Sequence, residues 1–158
     1  MRSLLELMEV HASLHESFAV HRDLVVLRDF PRALEALDRF EQDLRVHMDQ
    51  EEKVILPLYE ERIGHVRGGD PQFFYLEHRN ILRNLDRARE SLRRLIRESK
   101  SGAREAHVFL EEESLLYQLL EHHDLREKNV LYPRLSDALS PSEREDVLAR
   151  LGRPQGIA

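Results

Sequence analysis

Apolar residues recur along this chain at the three- and four-residue intervals of a helix turned toward a core, not with the alternation of a strand. From about Ser3 to Leu27 they fall at Leu4, Leu7, Leu14, Phe18 and Val25. Asp29-Phe30-Pro31 breaks the run: Asp29 can cap the next helix, with Pro31 in its first turn, where a missing N–H does no harm. The second helix carries Leu34, Leu37, Leu44, Met48, Ile55 and Leu58 to about Ile63, and Gly64, Gly68, Gly69, Asp70 and Pro71 make the clearest loop. A third helix, about Pro71 to Glu98, keeps Phe74, Ile81, Leu85, Leu92 and Ile96 on one stripe, and Ser101-Gly102 ends it. The fourth, about Ala103 to Ala138, carries Phe109, Leu116, Leu119, Leu120 and Leu131. Ser140-Pro141-Ser142-Glu143 has the spacing of a capping box with proline at the first helical position, which predicts a short fifth helix through about Leu151. Gly152 to Gly156 reads as a frayed tail. Long helices joined by short connections predict an all-α fold, an up-down-up-down four-helix bundle over residues 1–139. Residues 140–158 then add a capping helix and tail to the same domain.

Composition narrows this picture without changing it. A chain of 158 residues is one domain by size and can bury a real core. With 34% charged and only 6% aromatic residues, it suits a bundle with a solvated outer face. The net charge of −6, with arginines interleaved among acids at helical spacing, argues against a nucleic-acid partner. The absence of cysteine excludes disulfides, thiolate metal sites and cysteine nucleophiles. Glu6 and Glu9 interrupt the first apolar stretch, unlike a signal peptide, and no apolar run approaches membrane-spanning length. A soluble, cytoplasmic protein with no membrane partner is expected; its oligomeric state is not legible.

The candidate chemistry lies in a repeat. His47-Met48-Asp49-Gln50-Glu51-Glu52-Lys53-Val54-Ile55-Leu56-Pro57 returns as His123-Asp124-Leu125-Arg126-Glu127-Lys128-Asn129-Val130-Leu131-Tyr132-Pro133, with His, Glu, Val and Pro in register. In each copy His and Glu stand four apart and so share a helix face. Pro57 and Pro133, inside helical patterns, predict a shared kink or an early helix end. His11 and His78 each lie on an apolar stripe, with apolar residues three and seven positions later. Four imidazoles and two carboxylates thus turn toward one core: His11, His47, Glu51, His78, His123 and Glu127. A buried carboxylate without a partner would cost several kcal/mol or protonate, and a divalent cation supplies the partner. The competing reading makes the His-Glu pairs ordinary surface pairs.

The remaining histidines are read against this set. His107 and Glu111 are also four apart, but His107 lies about 160° round the helix from His123 at roughly 100° per residue and reads as surface. His65 sits in the glycine-rich loop, and His21 packs or caps locally. His15, one turn after His11, reads as polar packing beside the site, with a fifth imidazole as the alternative. His122 offers another register, but the aligned prolines favour His123. No histidine has a glutamate three residues before it, which disfavours the ferritin-like carboxylate class, and no His-Glu-x-x-His occurs.

From about Leu4 to Pro133 these residues resemble the hemerythrin-like family, also called the HHE cation-binding domain. The two His-x-x-x-Glu…Pro units are the specific part. The resemblance implies a bundle around two iron ions in an Fe–O–Fe di-iron centre, with the histidines as terminal ligands, Glu51 and Glu127 bridging, and an open position for oxygen. Manganese or zinc would be possible substitutes. Oxygen-carrying hemerythrins have a second histidine one turn before the third-helix one, where Phe74 stands here. They also have an aspartate five residues after the fourth-helix histidine, where Lys128 stands. Both departures look like the broader HHE branch. Leu14, Phe18, Phe74, Ile81 and Leu85 are expected to line the site. The function expected is a metal-binding protein that binds or senses dioxygen, nitric oxide, peroxide or iron. The alternatives are a di-iron oxidase or peroxidase acting on a small substrate and a metal-free structural bundle. No catalytic residue is assigned.

Overall fold

The computed structural model describes residues 2–151. No strand occurs among them. A 3-10 turn over Leu4–Leu7 leads into α1 (Met8–Val26), followed by α2 (Phe30–Gln50), α3 (Leu56–Arg62), α4 (Pro71–Arg97), α5 (Ala103–Arg126), α6 (Tyr132–Ala138) and α7 (Pro141–Leu151). Side chains set where several of these begin. Asp29 accepts from the Arg32 amide and Asp70 from the Gln72 amide. Ser140 and Glu143 bond reciprocally, the Glu143 amide donating to the Ser140 hydroxyl and the Ser140 amide to the Glu143 carboxylate. α3 stops at Gly64, whose φ of 76° is the left-handed conformation glycine adopts without steric cost.

The second and fourth of the expected helices are each interrupted in the same way. Glu51–Ile55, between α2 and α3, and Glu127–Leu131, between α5 and α6, wind as π turns. The prolines explain the place. Pro57 and Pro133 have no amide hydrogen to donate, and their rings crowd the carbonyl four residues back. The backbone widens just before each. The Leu56 amide reaches the Glu51 carbonyl and the Tyr132 amide the Glu127 carbonyl, five residues back instead of four. The kink or early end expected at the two prolines is therefore a widened turn, after which each helix continues for 7 residues.

Packing follows the apolar stripes. α1 packs on α2, α2 on α4, α4 on α5 and α5 on α1. Buried residues form two apolar clusters. A main core runs along the long helices, with Leu14, Phe18, Phe40, Leu44, Ile81, Leu85 and Leu120 among its members. An end core gathers Leu4, Ile55, Leu56, Tyr59, Phe74, Leu131 and Tyr132, and α7 adds Val147 and Leu148 to it. Each long helix crosses from one core to the other through polar residues. His11 lies between Leu4 and Leu14, Glu51 between Met48 and Ile55, His78 between Phe74 and Ile81, and His123 and Glu127 between Leu120 and Leu131. A polar layer therefore separates the two cores. The tail expected at Gly152 to Gly156 lies outside the described residues. No described helix is long and apolar enough to cross a membrane.

Candidate metal centre

The layer between the cores holds His11, His47, Glu51, His78, His123 and Glu127, all buried, with His47 the most exposed at 7%. Their donor atoms fall into two groups. His11, His47, Glu51 and Glu127 make one and Glu51, His78, His123 and Glu127 the other, and within each the donor atoms lie within 4.8 Å of one another. The two carboxylates belong to both. Glu51 faces both ways, Oε1 standing 2.8 Å from His47 Nε2 and Oε2 3.0 Å from His78 Nε2. Glu127 Oε1 stands 2.5 Å from His123 Nε2 and 3.7 Å from His11 Nε2.

Hydrogen bonds alone do not satisfy this set. Both oxygens of Glu127 lack a hydrogen-bond partner, as does His123 Nε2, although that nitrogen is 2.5 Å from Glu127 Oε1. The atoms are close but not in line. Donors directed at a common third point have this arrangement, and nitrogen with carboxylate oxygen is a donor set that first-row metals accept. The residues present therefore fit a cation centre.

Carboxylates on the far side of three imidazoles hold the rings. Glu77 Oε2 lies 2.7 Å from His123 Nδ1, and Glu52 Oε1 lies 2.8 Å from His78 Nδ1. Asp124 Oδ1 lies 2.9 Å from His11 Nδ1, off the line of a full hydrogen bond. An acceptor at Nδ1 draws the ring proton to that nitrogen and leaves Nε2 a lone pair; the tautomer is inferred from these partners. Glu77→Gln is expected to lower metal affinity about 10- to 100-fold, the usual cost of losing such a partner, in a competition titration against a chelator.

Electrostatics favour a multiply charged guest. Burial disfavours charge on both shared carboxylates, yet His47 holds Glu51 ionised, well below the usual carboxylate range. Burial and that neighbouring negative charge then push Glu127 up. Burial also works against a charged His11, but Asp124, Glu51 and Glu127 outweigh it and raise the imidazole to about 10. Without a cation, the layer gathers protons to balance its acids.

A cavity of about 20 Å³ touches the layer from the main-core side. His11, His47, His123 and Glu127 line it together with Leu14, Phe18, Phe40, Leu44 and Leu120. Of the lining expected from sequence, Leu14 and Phe18 are there. Ile81 and Leu85 in the main core and Phe74 in the end core do not line this cavity. Half-exposed His15 also borders the cavity and pairs with Asp124.

The other histidines separate cleanly. His107 and Glu111 pair on the surface at 3.1 Å, His122 is exposed, and exposed His65 meets Asp70 at 3.0 Å. His21 differs in degree from the expectation of local packing. It is fully buried, with Nδ1 2.8 Å from the Ala33 carbonyl and Nε2 2.7 Å from Glu113. Sequence reasoning did not single out Glu52, Glu77, Asp124 or Tyr132. The first three are chain neighbours of candidate ligands, and Tyr132 precedes a motif proline.

A family model described as the hemerythrin HHE cation-binding domain matches residues 2–135. Comparison with curated proteins and with solved structures gave no match. The matched span takes in every residue of both donor groups, and the chain belongs to the hemerythrin family of HHE cation-binding domains.

Proposed function

We propose that this chain is a di-iron protein that binds or senses a small ligand such as dioxygen, nitric oxide or peroxide. The observation that carries this reading is the pair of four-donor groups sharing Glu51 and Glu127. His11 and His47 would hold one ion, His78 and His123 the other, with the two glutamates common to both. The scaffold would be an up-down-up-down four-helix bundle, a course supported by the packing of α1 on α2, α2 on α4, α4 on α5 and α5 on α1. Bound iron would supply the redox electrons and the open coordination position that such a ligand needs.

The chain's own contribution is access and lining. A cavity must offer about 10–15 Å³ to admit one water, and the one beside the layer offers about 20 Å³. That is room for a diatomic molecule. Leu14, Phe18, Phe40, Leu44 and Leu120 give the guest an apolar wall. Binding or sensing is favoured over oxidation of a substrate because room for a small ligand lies beside the layer and no catalytic residue is assigned. Metal analysis of the purified full chain is expected to give two irons. Nitric oxide added to the reduced protein should change its visible spectrum without consuming a substrate. A folded protein that takes up no iron would sink the reading.

A further inference from the structure

The two donor groups look alike, but one residue makes them unequal. With His47 set on His123 and Glu51 on Glu127, Leu56 falls on Tyr132, each followed by a proline. Both side chains are fully buried and belong to the end core. Tyr132 directs its phenol oxygen out of that core into the polar layer, 2.5 Å from Glu51 Oε1 and 3.3 Å from His11 Nε2. Leu56 has no oxygen to offer at the matching place. The carboxylates reflect the difference: Glu51 Oε1 receives the phenol, whereas neither oxygen of Glu127 has a hydrogen-bond partner.

The phenol oxygen thus stands beside Glu51, which both groups share, and beside His11, which belongs to the His11–His47 group alone. Atoms that each sit roughly 2.0–2.2 Å from one metal ion stand about 3 Å from each other. The two separations of Tyr132 bracket that value.

Resting on the di-iron reading, we propose that Tyr132 is a phenolate ligand of the ion held by His11 and His47. The ion held by His78 and His123 has no such ligand, because Leu56 takes the matching position. On ligation the O–H bond gives way to an O–metal bond and the proton leaves to solvent, as for other ligands that bind deprotonated. Phenolate is a hard, anionic donor that favours ferric over ferrous iron. The two ions of one chain would then differ in how readily they oxidise.

The test uses the full chain, stripped of metal, loaded with ferrous iron under argon, counted, and oxidised. The expected result is a visible phenolate-to-iron charge-transfer band carrying tyrosine ring vibrations in resonance Raman. Tyr132→Phe should abolish the band while iron is retained. The wild-type spectrum decides even if that variant folds poorly. Of the four tyrosines, Tyr59, Tyr75 and Tyr117 can be replaced together by phenylalanine, and the band is expected to remain. Two bound irons without the band would overturn the proposal and leave Tyr132 a hydrogen-bond donor to Glu51. A band that survives in Tyr132→Phe would overturn it as well. A chain that binds no iron would overturn both this inference and the di-iron reading beneath it.

Discussion

Glu51→Ala is expected, on the di-iron reading, to take the iron content from two per chain to one or none, and Glu127→Ala to do the same, while His107→Ala leaves it unchanged. The asymmetry follows from how the oxygens are shared. Glu51 presents one oxygen to His47 and the other to His78, so its loss removes a donor from both groups at once. The loss should exceed the roughly 10- to 100-fold in affinity that an outer partner such as Glu77 contributes. His107 has the same spacing to a glutamate as His47 and His123, but it is paired with Glu111 at the surface. Iron counted on the purified variants checks the contrast. If His107→Ala lost iron and His123→Ala kept it, the assignment of the α5 face would be wrong.

The elements were legible in the chain because their signals are local. Helix period, Asp29 before Pro31 and the Ser140–Glu143 box all act within one or two turns, and the caps formed as expected. The inward residues were legible for a different reason. A His and a Glu four apart, repeated with a proline ten residues after each His, mark one helix face twice. The π turns were not legible, because proline alone does not say whether a helix bends, stops or widens. Their consequence is functional placement: each begins at a shared carboxylate, Glu51 or Glu127, and ends just before Leu56 or Tyr132. The carboxylates behind the imidazoles stayed hidden because Glu52, Glu77 and Asp124 sit beside a candidate ligand in sequence. A step of about 100° round the helix makes them look like solvent-facing acids. Only the neighbouring helix turns them into partners.

Glu113→Leu is expected to destabilise the metal-free protein by about 3–5 kcal/mol, the cost of breaking a buried pair from one side. His21 and Glu113 have no exposed side-chain surface and meet at 2.7 Å. The Phe18 and Phe109 rings lie 5.6 and 6.0 Å from the imidazole. Replacing both residues with leucine removes the stranded group, and most of the stability is expected to return. Urea midpoints of the two single variants and the double variant measure the coupling. Iron content should hold in all three, because His21 has a partner on each nitrogen and needs no cation: the Ala33 carbonyl on Nδ1 and Glu113 on Nε2. His123 and Glu127 are the opposite case, close together yet without hydrogen bonds between His123 Nε2 and either oxygen of Glu127. The chain thus buries histidine with glutamate in two ways: His21 is bonded at both nitrogens and only Glu113 Oε1 is left without a hydrogen-bond partner, whereas in the layer His123 Nε2 and both Glu127 oxygens are. Loss of iron from the leucine double variant would show that this distinction fails and that the pair in the main core supports the layer beneath it.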